Sequence, residues 1–127
     1  MIVVDAAAAV SGLLRAGVAR ELLASQQLHV PHLVDSEVAS GLRRLAATGQ
    51  VEPAAAWVAV DAWRHLSMTR YPLYGLLERV WELRDNVSAY DAGCVAVAEA
   101  LGCALVTADG RLSRAPGIRC TVTTVPQ

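Results

Sequence analysis

Short, strongly apolar runs alternate with longer segments of helical spacing along the whole chain, and this alternation limits the fold more than any other feature. Ile2-Val3-Val4, Leu28-His29-Val30, residues 66–70, Cys103 to Thr107 and residues 118–125 have strand length and are rich in β-branched residues. Between them lie segments that favour helix: residues 6–16, 18–25, from Asp35 or Ser36 to about Ala47, 52–65, 73–84 and 88–101. A repeated β-then-α order predicts an α/β fold, with a central, mainly parallel sheet of four to five strands and helices on both faces. A chain of 127 residues fits one compact domain spanning 1–127.

Local signals sharpen several boundaries. Gly17 separates the first two helical segments, and Pro31 closes the strand at 28–30. Asp35 and Ser36 are both N-cap candidates, and of the acids near this helix start we assign Asp35 to capping. Pro53 suits the first turn of its helix. Ser88-Ala89-Tyr90-Asp91 has the form of a capping box, and Gly102 stops the helix that follows.

Composition removes several function classes. All 11 basic residues are Arg, so Schiff-base chemistry and a phosphate loop built on lysine are excluded. The net charge of -1 does not favour broad, non-specific DNA binding by this chain alone. No apolar run reaches the ~18 residues of a membrane span, and Asp5 interrupts any leader-like start, so a cytoplasmic protein without membrane contact is expected. Cys94, Cys103 and Cys120 are odd in number and lack C-x-x-C spacing, which argues for three small buried residues rather than a disulfide or zinc framework.

The chemistry rests on carboxylates. In open parallel sheets, sites lie beyond the carboxyl ends of the strands. Asp5 follows the first strand and Asp109 the strand at 103–107. Asp91 and Glu37 fall in the first turns of two helices whose N-termini point to the same end. Each has an ordinary structural reading: a turn, a cap or a complement to the helix dipole. As a set, four clustered carboxylates call for a cation, and oxygen donors suit Mg²⁺ or Mn²⁺. Phosphodiester hydrolysis is the natural chemistry of such a site.

These pieces resemble the PIN-domain ribonuclease family, most closely the VapC toxins of toxin–antitoxin pairs. The resemblance spans nearly the whole chain and rests on Ile2-Val3-Val4-Asp5, Ser36-Glu37-Val38-Ala39, Ser88-Ala89-Tyr90-Asp91-Ala92 and Thr107-Ala108-Asp109-Gly110-Arg111-Leu112. It implies a PIN-like three-layer sandwich. It implies catalysis by Asp5, Glu37, Asp91 and Asp109, with Mg²⁺ or Mn²⁺ on Asp5, Asp91 and Asp109 and support from Thr107. It further implies an endoribonuclease acting on structured RNA such as tRNA or rRNA, a VapB-type antitoxin that blocks the cleft, promoter DNA reached only through that antitoxin, and a homodimer. Two positions depart from the family pattern: Ala7 stands where Ser or Thr is usual, and Ser40 where Asn is usual. They motivate an alternative, a catalytically weak scaffold acting mainly in complex formation and promoter control.

Arg111 and Arg43 are candidate contacts to RNA phosphate, with Arg44 and Arg114 close by. The six Trp and Tyr residues are read as core or dimer packing rather than base-stacking groups. His29, His32 and His65 lack metal-like spacing, and Glu99 is read as an exposed helical residue.

Overall fold

A computed structural model describes all residues, 1–127. Five strands, β1 (Ile2–Val4), β2 (Leu28–Pro31), β3 (Met68–Tyr71), β4 (Ala104–Thr107) and β5 (Val122–Thr124), form one sheet in the order β3-β2-β1-β4-β5. Every neighbouring pair is parallel. Six α-helices accompany it: α1 (Ala6–Leu14), α2 (Val18–Ser25), α3 (Leu33–Ala47), α4 (Pro53–His65), α5 (Leu77–Glu82) and α6 (Ala89–Leu101).

The strand order sets the position of the site. From β1 the chain moves outward to β2 and β3, then returns to the other side of β1 for β4 and β5. The reversal falls between β1 and β4, and in sheets of this kind a crevice opens there beyond the strand ends. Val4 lies opposite Val106, so Asp5 and Thr107 leave the sheet side by side.

The strands are apolar on both faces because helices cover both. Val3, Val4, Val30, Leu105 and Val106 are all buried. Helix α6 packs on β1, β2 and β4, while α1 packs on α2, α3 and β4. An unbroken run from Ala92 to Val97 and Ala98 is buried in α6, which explains its Ala, Gly, Cys and Val composition: only small side chains let a helix be enclosed on all sides.

Helices α1 and α2 approach closely at Gly12. A Cβ there would sit 2.7 Å from Leu23 Cδ1 and 3.1 Å from backbone atoms of Ala19 and Arg20. Gly12→Ala is expected to destabilise the protein by about 1–2 kcal/mol, overpacking outweighing the helix propensity gained. Thermal melting followed by circular dichroism should show Tm roughly 5 °C lower; an unchanged or higher Tm would show that α1 and α2 have room to spare.

The structure shifts several sequence expectations. Helix α3 begins at Leu33, directly after β2, so neither Asp35 nor Ser36 is its N-cap. The helix expected over 73–84 divides into a 3₁₀ turn at Tyr74–Leu76 and the short α5. The last strand shrinks from 118–125 to 122–124, and β3 lies at 68–71 rather than 66–70. Of the aromatic residues, only Trp63 is fully buried; Trp57, Tyr74, Trp81 and Tyr90 are exposed and take no part in the core. All three cysteines are free, but only Cys94 is fully buried.

Candidate active site

Asp5 is the fixed point of the site. It caps α1, its Oδ1 accepting the Ala8 N–H at 2.9 Å, and its Oδ2 accepts the Thr107 hydroxyl. Thr107 Oγ1 in turn accepts the Asp109 N–H at 3.0 Å. One fully buried hydroxyl thus joins the ends of β1 and β4. Burial pushes the Asp5 carboxyl above its usual range; the two hydrogen bonds oppose this, and the charges of Asp91 and Asp109 add to it.

Asp91 enters from the first turn of α6, where the Ser88 hydroxyl accepts its backbone N–H at 3.2 Å. The capping box is anchored on the backbone of Asp91, and the Ser88 hydroxyl also bears on its carboxylate and holds it down. Burial raises this carboxyl, and Asp109 raises it further. Glu37 lies one turn into α3, not in the first turn, because the helix starts earlier than expected. Burial raises it too, followed by the charges of Asp91 and Asp5.

Asp109 behaves differently. Arg111 grips its carboxylate with Nε at 3.1 Å and Nη2 at 2.9 Å, and donates its backbone N–H at 2.9 Å. This fork holds the Asp109 carboxyl below its usual range. Arg111 is otherwise largely exposed.

The four predicted acids therefore meet at the switch point between β1 and β4, near enough to perturb one another. Three of them face mutual repulsion and burial with no ion-pair partner, and the fourth is neutralised by an arginine. No three acidic, histidine or cysteine side chains are drawn together as a formed metal cage. The donor set is all oxygen and short of positive charge, which fits a hard divalent cation. Cys94 lies beneath the acids, but full burial and their charges hold its thiol well above its ordinary range, so it stays protonated.

Two hollows flank the acids. The larger, about 560 Å³, runs between α1 and α3 with Glu37 in its wall; Ala7, Ser40 and Arg44 also line it, and Arg43 does not. The smaller, about 330 Å³, holds Asp91, Asp109 and Arg111.

Other charged groups turn out to hold the scaffold. Asp35 accepts Trp63 Nε1 at 2.7 Å and Arg70 Nε and Nη2 at 2.7 and 3.0 Å. It ties α3 to α4 and β3, and Arg70 keeps its carboxyl below the usual range. Glu99 is not the exposed residue expected from its place on α6. It accepts Arg79 Nε at 2.7 Å and the Arg119 N–H at 2.7 Å, joining α6 to α5 and the C-terminal loop. Both partners lie far away in sequence, so no local pattern announces either network.

Comparison with known proteins shows the family and the fold. The PIN domain family model matches residues 2–118. Ribonuclease VapC9 of Mycobacterium tuberculosis is 59% identical over 127 residues, covering 100% of both chains. A protein of Pyrobaculum aerophilum, PAE2754, superposes with a TM-score of 0.73 at 25% identity, over 95% of this chain and 81% of that one. VapBC2 of Rickettsia felis, solved bound to a DNA fragment of its promoter, gives a TM-score of 0.69 at 14% identity over 98% of each chain, a likeness of fold. The fold and the family match over residues 2–118 define a PIN domain. Within that family, the chain belongs to the VapC ribonucleases.

Proposed function

We propose that this VapC-family ribonuclease is a divalent-metal-dependent endonuclease that cuts structured cellular RNA, tRNA or rRNA, and thereby arrests translation and growth until an antitoxin neutralises it. The observation that carries the reading is the set of four carboxylates at the sheet's switch point, three without any fixed counter-ion. Asp5, Asp91 and Asp109 would hold Mg²⁺ or Mn²⁺. Bound there, the metal supplies charge that acidifies a water and steadies the phosphoryl oxygens.

The chain's own residues supply the rest. Thr107 fixes the Asp5 carboxylate in one orientation. Glu37 stands at the edge of the larger hollow, its carboxyl raised by burial and by the charges of Asp91 and Asp5, as a proton acceptor for the attacking water. Arg111 exchanges Asp109 for substrate phosphate, as its exposure allows.

A VapB-type antitoxin would close the cleft by placing a basic side chain among the acids, and would carry the promoter DNA contact for the pair. The exposed Trp57, Tyr74 and Trp81 support a homodimer, in which such residues are covered. No helix is long and apolar enough to cross a membrane, and a single cytoplasmic domain over 1–127 matches these partners.

The test is to incubate purified, antitoxin-free protein with mixed tRNA and rRNA, with Mg²⁺ or Mn²⁺ and with EDTA. Discrete fragments are expected only with metal. Failure of well-folded protein to cut any RNA would favour the scaffold reading that Ala7 and Ser40 raise.

A further inference from the structure

We propose that the groove between α1 and α3 is the seat of the RNA strand on one side of the scissile phosphate, with Arg15 and Arg44 holding its backbone. The inference rests on the ribonuclease reading and adds a place for the substrate. One face of α3 lines the groove at three- and four-residue spacing: Glu37, Ser40, Arg44 and Thr48. Glu37 and Arg44 are about two turns apart, ~10 Å along the axis. The opposite wall is α1, with Ala7 near the acids and Arg15 just past its last turn.

Charge gives the groove a direction. Its inner end is acidic and continuous with the catalytic carboxylates through Glu37. Its outer end carries two exposed guanidinium groups, neither in an ion pair or a side-chain hydrogen bond. Arg70 and Arg79, by contrast, are committed to carboxylates. A polyanion whose reacting phosphate sits at the acids and whose next phosphates run outward satisfies both ends. An apolar peptide would leave Glu37, Arg15 and Arg44 without partners.

The two departures from the family pattern fall in this same groove. Ala7 of α1 and Ser40 of α3 both line it, as Glu37 does. The small side chains leave room beside Glu37 for a nucleotide, so they shape which RNA is accepted rather than disabling the acids.

The experiment measures binding of a fluorescein-labelled single-stranded RNA of mixed sequence to the Asp91→Asn protein, so that no cleavage intervenes. Arg15→Gln and Arg44→Gln are each expected to weaken binding roughly tenfold and to lower the salt slope by about 0.7. Arg64→Gln, the same charge change on a residue paired with Asp61, should leave both unchanged. In the otherwise wild-type enzyme, the groove variants should raise KM with little change in kcat, and Mn²⁺ affinity measured by calorimetry should stay the same.

Equal losses in Arg43→Gln would mean that overall helix charge, not the groove, attracts RNA, and would overturn the proposal. Unchanged RNA binding in both groove variants, with loss of antitoxin binding, would assign the groove to the antitoxin instead. Wild-type protein that cuts no RNA would bring down the ribonuclease reading itself. Wild-type cleavage with groove variants indistinguishable from it would bring down the groove alone.

Discussion

Asp91→Asn should abolish RNA cleavage, by at least about 10³-fold, while leaving the protein folded and no less stable without metal. The variant retains the backbone N–H that caps α6, and its amide oxygen can still accept from the Ser88 hydroxyl that faces the carboxylate. Only a negative charge is removed, from a site where burial and Asp109 already oppose it. A carboxyl raised in the folded state stabilises fully below its unfolded pKa of about 4, and that contribution is lost as pH rises through the folded value. The contribution of Asp91 to wild-type stability therefore falls above about pH 4, and the Asn variant is spared that loss. Metal-free melts should give the variant an equal or higher Tm at neutral pH and a Tm nearer the wild type's in acid. Divalent metal should raise the wild-type Tm more than the variant's. Full cleavage by Asp91→Asn would remove this residue from the site. Lost cleavage with a clearly lower Tm would mean damage to the fold instead.

The sheet and the acids were legible in the sequence for a common reason. β1 is a short run of β-branched residues closed by an acid, Ile2-Val3-Val4-Asp5, β4 is a short, mostly apolar run with Asp109 two residues beyond it, and a parallel sheet places such ends together. The capping box marked the start of α6 to the residue, because Ser88 and Asp91 are near in sequence and their hydrogen bond is local. Asp35 shows where this reasoning fails. Its type and place suggest a cap, yet its carboxylate is occupied by Trp63 and Arg70, and the helix starts earlier without it. Glu99 fails likewise, since Arg79 and the Arg119 backbone reach it only after folding. Arg15 was passed over because nothing near it in sequence marks it; only the packing of α1 against α3 sets it across from Arg44. Interactions between sequence neighbours can be read directly, and tertiary pairings of single charges cannot.

Thr107→Val should preserve shape and lose function, which makes it the sharpest test of how the site is built. The side chain is fully buried and nearly isosteric with Val, so packing is conserved while one hydroxyl disappears. That hydroxyl donates to Asp5 and accepts the Asp109 N–H. Without it, buried Asp5 Oδ2 loses its donor and the partly buried Asp109 amide its acceptor. Leaving such groups unpaired costs about 2 kcal/mol, a fall in Tm that melting will read. The Thr107 bond also holds the Asp5 carboxyl down against burial. Its loss lets that carboxyl rise further, so the acid limb of the cleavage profile should move to higher pH. Mn²⁺ affinity, measured by calorimetry without RNA, should fall roughly 10- to 100-fold, the usual effect of removing a group that orients a ligand. Thr107→Ser keeps the hydroxyl and should restore metal affinity and the pH profile while remaining somewhat less stable through the lost methyl. If Val and Ser variants lose metal affinity equally, the methyl packing of Thr107 governs the site, and the hydroxyl bridge between β1 and β4 does not.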